Sequence, residues 1–161
     1  MILLLSKIYR SQTNRSMYVS IGAELEACEN FMVLYQYRFR NFEYEFDVPS
    51  GLLPYGLPKN TLQPLIENYF VHGFDANRPD NEIEFMGTFL DEDNIQLLVK
   101  DNGYGMTEEE VVVLNQKIEE PIRHSRENFG LKNLNQRLKL FYGPSYGLHI
   151  EKNESGGLLF S

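Results

Sequence analysis

The stretch Ile95-Gln96-Leu97-Leu98-Val99-Lys100-Asp101-Asn102-Gly103-Tyr104-Gly105-Met106 decides the fold class. Ile95, Leu97, Val99 and Asp101 alternate, so they share one face of a predicted strand. A carboxylate therefore closes an apolar row, beside a glycine turn through which a flat ligand can approach closely. Burying that carboxylate is costly unless donors reach it, and the exocyclic amine of a base would serve. Asn102-Gly103 is also a strong hairpin signal. A hairpin needs a second strand, whereas Thr107-Glu108-Glu109-Glu110 reads as a capping box opening a helix to about Ile118.

Working outward, Ile83, Phe85 and Phe89 mark a preceding strand, with a turn over 91–94. A helix is expected over 60–72, with Pro64 in its first turn. Tyr44, Phe46 and Val48 line one face of a half-buried strand. Pro49, Gly51, Pro54, Gly56 and Pro58 then interrupt regular structure. Further upstream, Leu25, Cys28, Met32, Tyr35 and Phe39 recur at steps of three and four. That spacing predicts a long helix seated on another helix, on a dimer partner, or on its own core. Downstream, Leu131, Leu134, Leu138 and Phe141 form one helical stripe, and strands are expected near 146–152 and 158–161. The order predicts an α/β two-layer sandwich: a mixed, largely antiparallel sheet with helices on one face, plus an N-terminal helical segment. The predicted division is 1–41, helical, and 42–161, α/β.

Composition narrows the function. The 161 residues carry a net charge of −8, a poor match to a phosphate backbone, so nucleic acid is not an expected partner. A single cysteine, Cys28, excludes an internal disulfide and a cysteine-cluster zinc site. The run Ile2-Leu3-Leu4-Leu5 is too short to span a membrane, and no direct membrane contact is expected of this segment.

Two further clusters carry chemistry. In Glu67-Asn68-Tyr69-Phe70-Val71-His72-Gly73, a neutral side-chain carbonyl on Asn68 can ligate Mg²⁺ and leave it charge for phosphate. The blander reading is a polar helix end stopped by Gly73. In Asn128-Phe129-Gly130-Leu131-Lys132-Asn133, Gly130 leaves bare N–H groups at a helix start, suited to an anion. A simple helix cap would look the same.

Asn68, the Asp101 turn and the Gly130 helix start, in that order and spacing, resemble the nucleotide-binding boxes of the GHKL superfamily. Leu62-Gln63-Pro64-Leu65-Ile66-Glu67-Asn68 with His72-Gly73, and Gly130-Leu131-Lys132-Asn133 with Arg137-Leu138, are similar to one branch, the sensor histidine kinases typified by regulators of autolysis. The resemblance extends into Glu24-Leu25-Glu26 and Tyr35-Gln36-Tyr37-Arg38-Phe39. It implies a Bergerat-type ATP-binding catalytic domain over 42–161, preceded by the end of a helical dimerisation region. It further implies that Asn68 ligates Mg²⁺ on the ATP phosphates and that Asp101 accepts from the adenine amine. Gly103 and Gly105 would make room for the base, and Gly130 and Leu131 would face phosphate. Residues 119–129 would form a lid over ATP. His72, Met106, Asn133 and Arg137 would be pocket members, and Glu67 with Asn68 would serve phosphotransfer.

Three positions depart from the family pattern: Val71 replaces a basic residue, Asn128 a glycine, and Leu158 a threonine. Pro64 occupies the place of the water-activating Glu of gyrase-type ATPases, which disfavours autonomous ATP hydrolysis. None of His72, His124 and His149 lies in the N-terminal helical region, so the phosphoacceptor is expected upstream of Met1, and the C-terminus is expected to be truncated. The resemblance implies a cytoplasmic domain of a membrane-anchored, homodimeric sensor that serves a response regulator. The alternatives are a nucleotide-binding module without phosphotransfer and a purely structural coiled-coil domain.

Overall fold

Alternating apolar and charged residues build the central sheet. The computed structural model describes residues 17–121 and 129–161. Strands β2 (Phe42–Asp47), β4 (Asn81–Phe89), β5 (Ile95–Asp101), β6 (Ile150–Lys152) and β7 (Leu158–Phe160) form one sheet in the order β2-β4-β5-β7-β6. Only the β2–β4 pair is parallel; the other three are antiparallel. On the inner face lie Phe42, Ile83, Phe85, Val99 and Phe160, all buried. On the outer face Glu43 stands opposite Glu82 and Glu45 opposite Glu84.

Helices cover the inner face. α1 (Ile21–Arg38) is capped by Ser20, whose hydroxyl accepts from the Ala23 N–H at 3.2 Å. The apolar steps along α1 bury Cys28 and Met32 in the same core as Phe42 and Phe85, with Leu25, Tyr35 and Phe39 packed against it. Of the surfaces that spacing allows, α1 therefore occupies the chain's own core. α3 (Glu108–Glu119) opens with the expected capping box between Thr107 and Glu110. α4 (Phe129–Tyr142) buries Leu131 and Leu134, and Leu138 packs alongside.

Two features differ from the sequence expectation. The breaker-rich stretch contains a short 3₁₀ turn, Ser50–Leu52, and a strand β3 (Gly56–Pro58). β3 pairs antiparallel with β1 (Tyr18–Ser20) in a separate two-stranded sheet. Three-residue strands leave no readable period, so only the partner reveals them. The helix expected over 60–72 is α2 (Gln63–Asn68), with Pro64 in its first turn, continued by a π-turn, Tyr69–Gly73. The Phe74 N–H closes that turn on the Tyr69 carbonyl at 2.8 Å.

Among the described residues no helix is long and apolar enough to cross a membrane.

Candidate functional site

Asp101 ends β5 on the inner face and is 4% exposed. Its Oδ1 accepts from the Gly103 N–H at 2.8 Å. Burial raises its pKa to about 6; backbone hydrogen bonds from Gly103 and Leu158 act in the opposite direction. At neutral pH it is a largely desolvated carboxylate, the state that gains most from a further donor.

Four glycines enclose it. A Cβ on Gly103 would stand 2.6 Å from the Gly73 Cα and carbonyl oxygen, so the two backbones touch. A Cβ on Gly73 would lie 3.4 Å from Asp101 Oδ1. Gly157, at φ +70°, approaches Asp101 itself, and Gly105, at φ +66°, packs on Gly157. The space that Gly103 and Gly105 leave open is thus partly filled by other backbone. The Tyr104 N–H donates to the Gly73 carbonyl at 3.1 Å, which fixes the turn after β5 to the end of the π-turn. Met106 packs against the core beside this turn.

The segment from α2 through the π-turn links the expected boxes. Gly130 lies at its start, where an added Cβ would be 3.8 Å from the Pro64 Cβ. Gly73 meets the Asp101 turn at its far end. Pro64 and Gly73 are separated by about 13 Å of helix axis. Asn68 sits midway, half-buried, and its side chain makes no hydrogen bond among the described residues. Glu67 and His72 are exposed, and Glu67 Oε1 accepts from Gln63 Nε2 at 2.7 Å. Val71 is 72% exposed. A π-turn shifts every following residue relative to an α-helix, and such turns gather at functional sites.

At the Gly130 end, Leu131 is buried and Asn133 half-buried. Lys132 Nζ lies 3.7 Å from Glu120 Oε2. Arg137, expected in the pocket, meets the turn at Asn60. Its Nη2 donates to the Asn60 carbonyl at 2.6 Å, and its charge lies near Glu24. Glu24 is itself buried and accepts from the N–H groups of Asn60 and Leu62, each at 3.2 Å. Asn60 has φ +60°, and this acid–base pair holds its turn from both sides. Most of the expected lid, with Asn128, lies outside the described residues.

Several residues that organise the site carry no local sequence signal. Buried Asn81 fastens the 75–80 loop, donating to the carbonyls of Asp75 at 2.7 Å and Arg78 at 3.0 Å. Asn153 donates to the Asp101 carbonyl at 2.6 Å. Asn135 joins α4 to the Ile118 carbonyl at 3.0 Å and to the Leu148 N–H at 2.9 Å. Each resembles an ordinary polar loop or helix residue until its partner is seen.

Among the described residues, no three His, Cys, Asp or Glu side chains converge as a metal cage. The half-exposed Asn68 amide is the donor type that Mg²⁺ accepts while keeping waters and substrate oxygens.

The chain is 31% identical to the sensor protein LytS of Staphylococcus haemolyticus over 159 residues, 97% of this chain and 27% of that protein. Over nearly its whole length the chain is similar to LytS-type sensor proteins. It spans about a quarter of that relative's length. It is also 26% identical, over the same share, to the sensor histidine kinase/phosphatase LytS of Staphylococcus aureus strain N315. No family model matches. Among solved structures, the catalytic domain of histidine kinase ThkA superposes with a TM-score of 0.60 at 16% identity, covering 90% of this chain and 95% of that one. The chain therefore has the fold of a histidine-kinase catalytic domain, the α/β sandwich expected from sequence.

Proposed function

We propose that this segment binds Mg-ATP and transfers the γ-phosphoryl group to a histidine outside it. The carrying observation is the placement of Asp101: a desolvated carboxylate at a strand end, ringed by Gly73, Gly103, Gly105 and Gly157, and fastened through Gly73 to the helix bearing Asn68. An adenine amine donating to Asp101 repays the burial of that charge. The triphosphate would extend along α2 toward the N–H groups of Gly130 and Leu131 at the start of α4. Mg²⁺, held by Asn68 and phosphate oxygens, would draw charge from the phosphoryl group.

In the transfer, a histidine ring nitrogen attacks the γ-phosphorus, the bond to the β-bridging oxygen breaks, and ADP departs. Glu67, exposed beside Asn68, would take the imidazole proton. The remaining roles are what the family resemblance implies. The acceptor would lie on a helical region upstream, the whole protein would be a membrane-anchored homodimer with this part in the cytoplasm, and a response regulator would receive the phosphoryl group.

Isothermal titration with Mg-ATP, Mg-GTP and ATP in EDTA tests the binding step. ATP should bind, GTP at least tenfold more weakly, and chelation should weaken ATP. Equal binding of both nucleotides would remove Asp101 from the base site. Exposed Val71, where relatives carry a cation, favours a second reading, a module that binds ATP without transfer. Labelled ATP with the longer protein that carries the acceptor separates the two: acid-labile phosphohistidine supports the kinase, and its absence supports the inert module.

A further inference from the structure

Two pairs of aromatic rings interlock where α1 meets the π-turn. Tyr35 and Phe39 stand four residues apart at the C-terminal end of α1, and Phe70 and Phe74 stand four apart across the π-turn. Tyr35 lies flat on Phe70, with ring centroids 3.5 Å apart and planes 7° apart. Phe39 meets Phe74 at 4.5 Å. Phe42, at the start of β2, meets Phe70 edge-on at 4.9 Å. The Phe39 N–H donates to the Tyr35 carbonyl at 2.7 Å, so the end of α1 fixes its own pair. Filling space alone would need only aliphatic side chains here; stacked rings impose a direction as well.

The two ends of the π-turn are held differently. At Gly73 the backbone is tied to the turn after Asp101 through the Tyr104 N–H, at 3.1 Å. The other end follows directly on Asn68, and there the ties are rings: Tyr69 in the core and Phe70 on Tyr35. Burial raises the pKa of the Tyr35 hydroxyl, and the nearby Glu67 carboxylate adds to it, so the Tyr35 ring reaches the residue beside Asn68.

We propose that Tyr35 is a positioning residue for the metal site: stacked on Phe70, it sets the direction in which the π-turn presents Asn68, and so holds that amide where Mg²⁺ on ATP can use it. The proposal rests on Asn68 being the magnesium ligand. It makes α1 a handle on that ligand, because a shift of its last turn carries along Phe70 and, two residues earlier, Asn68.

Isothermal titration of the whole chain, at a temperature where circular dichroism shows every variant folded, tests this role. Tyr35→Leu removes the stack and keeps apolar bulk, whereas Tyr35→Phe keeps the stack. Phe46→Leu is the control, since its ring packs on Phe85 at 4.9 Å, four residues along β2 from Phe42. Tyr35→Leu should weaken Mg-ATP by about fivefold or more and leave ATP in EDTA within about twofold. Tyr35→Phe and Phe46→Leu should match the parent in both conditions. Added to Asn68→Ala, Tyr35→Leu should cost less than about twofold more, because both act at one ligand. Hydrogen exchange of the peptide over 66–74 should rise about fivefold in Tyr35→Leu and stay unchanged in Phe46→Leu. Parent-like Mg-ATP binding by Tyr35→Leu, losses that multiply in the double variant, or unchanged exchange over 66–74 each overturn the proposal alone. An unmodified chain whose ATP affinity ignores chelation overturns the metal reading of Asn68, and this proposal with it.

Discussion

A methyl group added at the Gly157 Cα would stand 2.3 Å from both the Asp101 carbonyl oxygen and Asp101 Oδ1. Gly157 also has φ +70°, which L side chains adopt at a cost of about 1–2 kcal/mol. Gly157→Ala combines that strain with a backbone overlap that no rotamer relieves. It should lower unfolding free energy by about 3 kcal/mol, read by urea denaturation. Any protein that still folds should have displaced Asp101 and lost nucleotide selectivity. Gly143→Ala serves as the control, since its Cβ meets nothing within 4 Å and it pays only for φ +106°.

The carboxyl of Asp101 makes both stability and binding depend on pH. Burial raises its native pKa to about 6, above the 3.8 of an exposed aspartate. Between those values the native state holds a proton that the unfolded chain has released. The stabilisation from this group is therefore complete below about pH 4 and is lost as pH rises to about 6, with a total of about 3 kcal/mol. Asp101→Asn should flatten that part of a stability-against-pH curve. Adenine binding has the opposite slope, because the amine needs the ionised acceptor. Affinity for ATP should fall about tenfold per pH unit below 6. Calorimetry at pH 6 in buffers of different ionisation enthalpy should show release of about half a proton on binding.

Asn68 separates a binding role from a structural one. Its side chain is half-buried and makes no hydrogen bond among the described residues, so Asn68→Ala should change stability by less than about 0.5 kcal/mol. Affinity for Mg-ATP should drop at least tenfold, while affinity for ATP in EDTA should barely change. A parallel loss in both conditions would take the metal away from Asn68.

Glu24 and Arg137 should behave as a structural pair. Glu24→Leu strands the N–H groups of Asn60 and Leu62 and leaves Arg137 without its nearby counter-charge. A loss of about 3 kcal/mol is expected in thermal or urea unfolding. Arg137→Met should also destabilise, by about 2 kcal/mol, because Nη2 no longer meets the Asn60 carbonyl. At temperatures where that variant is folded its nucleotide affinity should match the parent. A selective affinity loss without destabilisation would return Arg137 to the pocket.

Local signals were the legible ones. The row ending in Asp101, the Thr107–Glu110 capping box, Pro64 in the first turn of α2 and the stripe of α4 each depend on spacing within a dozen residues. Asp101, Asn68 and Gly130 stood out by chemistry, and the structure joins their elements through Gly73 and Pro64. Contacts between distant segments were not legible. Arg137 meets Asn60 across 77 residues and Asn153 meets Asp101 across 52, and nothing periodic announces either. The π-turn was hidden because one extra residue in a turn leaves the apolar pattern of a short helix almost unchanged. The seam of α1 was legible as apolar, but its spacing suits a partner helix and a sheet equally well.

The carboxylate rows of β2 and β4 have an effect at the boundary of the molecule. Among the described residues β2 is an outermost strand, an edge of the kind that can template another chain. A second copy aligning there would bring its own negative side chains against Glu43, Glu45 and Asp47. Mutual repulsion discourages sheet-to-sheet growth in concentrated neutral solution, and that protection fades as acid discharges the strand.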